Sequence, residues 1–120
     1  MEERIQFLTH KDKQLLLVDF SGCQPTEVMV ISTAARKVIT SQPKASVLVL
    51  VDMTGAQLDR DALTRMKETA VFDAPYVKKS AWVGTETIPE THFQALKTFS
   101  QRKFFAFPTR QQALEWLAED

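Results

Sequence analysis

Between Ser46 and Gly55 the chain reads Ser-Val-Leu-Val-Leu-Val-Asp-Met-Thr-Gly, an unbroken apolar run that stops at a carboxylate and a polar, glycine-containing loop. A strand apolar on both faces must be covered on both faces, which is how central strands of helix-covered parallel sheets read. In such sheets, ligands and partners meet the loops just beyond the carboxyl ends of the strands. The loop from Asp52 to Leu58 is therefore the first place to look for function.

The flanking sequence supplies the rest of such a sheet. Ile5-Gln6-Phe7-Leu8 and Leu15-Leu16-Leu17-Val18-Asp19-Phe20 read as strands joined across a short polar segment, an antiparallel hairpin. Gln24-Pro25-Thr26-Glu27 opens a helix, with Pro25 suited to its first position and Glu27 to the positive end of its dipole. Val28, Ile31, Ala35, Val38 and Ile39 then repeat every 3.6 residues. Asp59 is a cap for a second helix with Ala62, Leu63, Met66 and Ala70 inward and an Asp61–Arg65 pair outside. Tyr76 to Val83 is a fourth strand, and Pro89 lies in the first turn of a third helix with Phe93, Leu96 and Ser100 inward. Phe104-Phe105-Ala106-Phe107 is a fifth strand, and Thr109 with Gln112 forms a capping box for a last helix. The order β-β-α-β-α-β-α-β-α predicts an α/β fold: a mixed, mainly parallel five-stranded sheet with four helices packed against it.

Composition narrows the function classes. The 120 residues suit a single domain, 1–120, with neither repeat nor linker. Lysine plus arginine (15) equals aspartate plus glutamate (15), so no global field recruits polyanions, and no nucleic-acid partner is expected. The apolar runs fall short of the roughly 18 residues that span a bilayer. Met1-Glu2-Glu3-Arg4 is charged with no apolar stretch behind it, unlike a signal peptide. The single Cys23 makes no internal disulfide and fits a reducing, cytoplasmic setting.

Three stretches resemble the STAS domains. Leu50-Val51-Asp52-Met53-Thr54-Gly55 is similar to their "D-hydrophobic-S/T-G" segment, and Ser80-Ala81-Trp82-Val83-Gly84 to the "A-V-V-G" strand of the SpoIIAA-like (STAS/SEC14-type) branch. The segment Phe105 to Leu117 resembles that branch's ending, "F-x-x-x-x-x-A-x-x-W-L". The resemblance runs over nearly the whole chain because the element order agrees. It implies a non-enzymatic binding or regulatory module, with an apolar small molecule or lipid as ligand. The best-known STAS domains are switched by phosphorylation of a serine in a "D-S-S-G" signature at the start of the helix after the third strand. Here the matching region reads Ala56-Gln57-Leu58-Asp59-Arg60-Asp61, without serine or threonine, and Thr54 is not the motif position. The phosphoswitch does not carry over.

Individual reactive residues mostly have ordinary readings. Asp52 at a strand end could be a phosphoacceptor of the receiver type, but Asp19 lies within its strand and Lys103 precedes the fifth, so the expected role is to accept N–H bonds in its own loop. His10 and His92 read as solvated surface residues, with no converging ligands for zinc. Cys23 reads as a small residue filling a strand-to-helix corner. The three glycines sit in separate loops, unlike a phosphate cradle. Lys78-Lys79 and Arg102-Lys103 read as solvated, edge-protecting doublets. Neither a metal nor a cofactor is expected, and no catalytic residue is assigned.

The aromatic residues are more suggestive. Nine of them, from Phe72 to Trp116, crowd into the second half, and Phe104, Phe105 and Phe107 occupy both faces of one strand. Any surplus beyond the core would form an apolar surface or pocket. The expected binding rim is Met53, Thr54, Gly55 and Ala56 with Gly84, Thr85 and Glu86, walled by Phe72 and Tyr76 from the end of the second helix. An occupant would sit near Thr54 or between the second helix and the sheet. The competing expectations are a protein-interaction module, with a regulatory-protein partner or a homodimer built on exposed helix faces, and a small enzyme using Asp52, Thr54 or Cys23.

Overall fold

A computed structural model describes residues 2–100 and 103–119. Its strands are β1 (Ile5–His10), β2 (Lys13–Asp19), β3 (Val47–Asp52), β4 (Val77–Val83) and β5 (Lys103–Phe107). Its helices are α1 (Pro25–Ile39), α2 (Arg60–Asp73), α3 (Glu90–Ser100) and α4 (Arg110–Ala118). The strands lie in the order β1-β2-β3-β4-β5, with β1 antiparallel to β2 and every later pairing parallel. The mixed sheet and four helices of the sequence reading are what the chain forms.

Every residue of β3 is buried, as its apolar run requires. Val47, Val49 and Val51 face a core filled by Val28, Ile31, Ala35 and Ile39 of α1, Ala62, Leu63 and Met66 of α2, and Leu96 of α3. Leu48 and Leu50 face a second core, in which Ala113 and Leu117 of α4 cover Leu15, Leu17, Ala81 and Val83. Three helices therefore cover one face and a single nine-residue helix covers the other. Each fully buried Val or Leu contributes roughly 1.5–3 kcal/mol, which makes the two faces the main source of stability.

The helix ends follow the local chemistry. Pro25 takes the first turn of α1, and Glu27 Oε1 accepts from Gln24 N at 2.9 Å. Asp59 Oδ1 accepts from Ala62 N at 2.8 Å, and Thr109 Oγ1 accepts from Gln112 N at 3.1 Å. Each bond satisfies one of the orphan N–H groups of a helix start.

Several local readings are corrected. Lys79 is buried, because it shares the face of β4 that carries Ala81 and Val83 and so lies beneath α4, paired with Leu48. Its Nζ donates to the carbonyls of Trp116 (3.0 Å) and Glu119 (2.8 Å), where a cation meets the negative end of the helix. Lys78 stays exposed. Arg102 and the Lys103 side chain lie outside the described residues. Arg65 does not turn to Asp61; its Nη1 donates to Thr33 Oγ1 on α1 at 2.7 Å. His10 and His92 are half-buried, and His10 Nε2 lies 3.6 Å from Glu115 Oε1.

Candidate functional site

The carboxyl ends of β2, β3 and β4 are knitted together by their own backbone. Phe20 N donates to Asp52 O (2.8 Å), Gly22 N to Thr54 O (2.8 Å) and Met53 N to Val83 O (2.9 Å). Asp19 and Asp52 are register partners, so their side chains stand side by side on the α4 face, closer than their sequence positions imply. Arg110, the first residue of α4, bridges them. Its Nε and Nη2 reach Asp52 Oδ2 at 2.9 and 2.8 Å, and Nη2 lies 3.6 Å from Asp19 Oδ2. The other Asp52 oxygen, Oδ1, accepts from Thr54 N (2.9 Å) and Thr54 Oγ1 (2.6 Å). Arg4 Nη1 donates to the Ser21 carbonyl at 2.8 Å and lies 4.0 Å from Asp19 Oδ1.

Burial pushes the Asp52 carboxyl up, but the Thr54 hydroxyl and N–H and the Arg110 guanidinium outweigh it and hold the group below its usual range. With both oxygens engaged, Asp52 is an ionised strut between its loop, α4 and the sheet. Transfer of a phosphoryl group to it would first require Arg110 or Thr54 to let go. Among the described residues no three His, Cys, Asp or Glu side chains cluster as metal ligands. Arg110 escapes a sequence reading because the pairing spans 58 positions; the signal available was an arginine opening a helix just past the last strand.

The rim residues do come together at these strand ends. Met53 and Ala56 are buried, Gly84 and Thr85 half-buried, and Thr54, Gly55 and Glu86 exposed. Gly84 has φ of 70°, and a Cβ built on it would stand 2.6 Å from Thr54 Cα and closer still to Thr54 N and Oγ1. The two loops are thus in backbone contact. Thr87 Oγ1 donates to Ala56 O at 3.3 Å and adds to the closure. Phe72 and Tyr76 stand at the opposite end of the sheet, because α2 begins at the rim and runs away from it. Tyr76 O accepts from Ser46 N and Val47 N at the start of β3, both at 3.0 Å.

The aromatic residues divide by strand face. Phe104 packs on Trp82 (ring centroids 4.7 Å apart) and Phe93 (5.3 Å) inside the three-helix core. Phe105 points the other way, 44% exposed, beside Trp116 at 5.4 Å. Phe72 is half-exposed with the Arg36 guanidinium 3.9 Å above its ring. Cys23 is buried in its corner, and burial pushes its thiol up, the reverse of what a nucleophile needs.

A cavity of about 60 Å³ lies inside the three-helix core. Val18, Val49 and Val51 floor it, Ala35, Ile39, Met66 and Ala70 roof it, and Trp82, Leu96 and Phe104 close one side. Its polar groups are few: Ser32, Thr69, Ser80 and Asp73. Ser32 Oγ and Thr69 Oγ1 share a hydrogen bond of 2.9 Å across α1 and α2, and Trp82 Nε1 donates to Ser80 Oγ at 3.0 Å. An apolar chamber with a small number of fixed polar groups is the usual make-up of a small-molecule site. It lies between the second helix and the sheet, where an occupant was expected, and not beneath the rim.

Element order, a mixed sheet led by a hairpin, and helices divided three to one between its faces are those of the SpoIIAA-like α/β fold. A solved structure of an uncharacterised protein from the DUF3478 family, with a SpoIIAA-like fold, from Shewanella loihica PV-4, superimposes with a TM-score of 0.70. That chain is 17% identical, and the match covers 95% of this chain and 92% of the other. The fold anticipated from Leu50–Gly55, Ser80–Gly84 and Phe105–Leu117 is therefore the fold observed. No protein-family description and no curated protein sequence matches the chain.

Proposed function

We propose that this chain is a non-enzymatic binding module that takes up a small, mostly apolar molecule between the sheet and α1–α3. The observation that carries the reading is the cavity, with apolar walls and a hydroxyl pair at one place. The ligand class follows from that lining: a short hydrocarbon or aromatic body with one hydrogen-bonding group for Ser32, Thr69 or Ser80. An engineered apolar cavity of about 150 Å³ takes up benzene, so the 60 Å³ here admits only a few heavy atoms unless a wall yields. The wall that yields is α3, in which Leu96 and Ser100 are the only fully buried residues. The strut chemistry of Asp52 and the raised Cys23 thiol favour binding over catalysis.

Trp82 lines the cavity and gives the test a direct reporter. With Trp116→Phe in place, Trp82 is the only indole left. Protein purified from cells is examined by native mass spectrometry and then titrated with short-chain alcohols and simple aromatics. Extra mass, or a saturable change in Trp82 emission that Ala70→Leu abolishes in a folded protein, is the expected result. The absence of both extra mass and a saturable response would overturn the proposal and leave the cavity a packing void.

A further inference from the structure

We infer that α1 is the surface through which two copies of this chain associate, its outer face packing antiparallel on the same face of a second copy. Among its fifteen residues only Glu27, Arg36 and Lys37 are charged, so α1 is apolar or neutral nearly all round. Its inner stripe, Val28, Ile31, Ser32, Ala35 and Ile39, is spent on the sheet. Its outer stripe is Thr26, Val30, Thr33 and Lys37, two hydroxyls and a lysine about one exposed valine. Val30 is 55% exposed at the centre of that stripe. Shallow grooves flank it on both sides, one walled by Met29, Thr33, Ala34 and Arg65, the other by Arg4, Glu27 and Ile31. A ridge between two grooves is a shape that fits a copy of itself.

Charge selects the occupant and the direction. A two-fold axis near residue 32 sets Val30 of each copy over the Thr33–Ala34 segment of the other. It also brings Glu27 of each copy to Lys37 of the other, one opposite-charge pair at each end. Parallel packing would set like against like. A self-complementary patch of this kind is the signature of a two-fold interface. At about 1.5 Å per residue, the fifteen-residue helix offers a seam about 22 Å long. Such a seam, with Arg65 and Phe72 at its margin, buries on the order of 1,000 Å² in total, at the low end for specific contacts. The dimer is therefore weak and concentration-dependent.

Sedimentation of the intact chain over a wide concentration range tests this, with a fluorescence or circular-dichroism melt for each variant. The expected result is a rise in mass from 13.6 kDa toward twice that value. Val30→Glu, at an exposed site that leaves the fold intact, is expected to weaken association at least about tenfold. Glu27→Lys and Lys37→Glu are each expected to be monomeric, while an equimolar mixture of the two associates again. Because Glu27→Lys also removes the contact to Gln24 N, Val30→Glu and Lys37→Glu carry the test if that variant melts early. A chain that stays monomeric at all concentrations, or a dimer indifferent to both Val30→Glu and Lys37→Glu, would overturn the inference.

Discussion

Gly84→Ala measures how tightly the two strand-end loops are joined. Its added methyl would stand 2.6 Å from Thr54 Cα, with Thr54 N nearer still, so backbone must move. The left-handed conformation itself costs a non-glycine residue about 1–2 kcal/mol. Moving the Thr54 loop breaks Met53 N to Val83 O or Gly22 N to Thr54 O, and loosens Thr54 N from Asp52 Oδ1. A neutral bond is worth about 1 kcal/mol and one to a charged acceptor about 1.5–3 kcal/mol. The sum is about 3.5–6 kcal/mol. Gly22→Ala is the control, because its φ is 67° yet nothing lies within 4 Å of the new methyl. Only the conformational cost, about 1–2 kcal/mol, applies there. Urea unfolding reads the difference: with a slope of about 1–3 kcal/mol per molar, the midpoints of the two variants should differ by roughly 1–4 M. If Gly84→Ala unfolds no earlier than Gly22→Ala at unchanged slope, the loops are not in the contact described.

Four further outcomes follow from side-chain chemistry. Arg110→Ala should cost about 1–2 kcal/mol at neutral pH, the guanidinium being part-exposed and its acceptor buried. Because the folded Asp52 carboxyl lies below its unfolded value of about 3.9, its contribution is present above that pH and fades as pH falls through the folded value. Acid titration of stability should thus be shallower below pH about 4 in Asp52→Asn than in the parent; equal slopes would contradict the strut. Native Cys23 should react slowly with a thiol reagent at neutral pH and quickly once denaturant is added, and equal rates would show that the corner is open. Thr69→Val should cost about 1–2 kcal/mol by stranding the Ser32 hydroxyl, Ser32→Ala less because Thr69 Oγ1 still donates to Met66 O at 3.0 Å, and the double variant less than the sum; strict additivity would show the pair to be uncoupled.

What the sequence made legible was local or periodic. The run Val47–Val51 announced a doubly covered strand, and Pro25, Asp59 and Thr109 marked helix starts through the caps they make. The lysine doublet misled because two charges in a row read as a solvated edge, whereas alternation with Ala81 and Val83 sets Lys79 on the face that α4 covers. Phe72 and Tyr76 were set at the wrong end of the sheet because the direction of α2 is a property of the crossover, not of the residues near its end. Arg110 and the Asp19–Asp52 adjacency depend on register between distant segments, as does the cavity, whose lining comes from β2, β3, β4, β5, α1, α2 and α3 together. A hydroxyl such as Ser32 in an apolar stripe was the one early sign of a polar spot within that core.

The uneven division of helices has a consequence for biogenesis. The sheet face made by Leu15, Leu17, Leu48, Leu50, Ala81 and Val83 depends on Ala113 and Leu117, which are translated after every strand they shield. A nascent chain leaving the ribosome therefore carries one finished side and one greasy side until α4 emerges, and over that interval it is a natural chaperone client. A premature stop before residue 110 would leave that condition permanent.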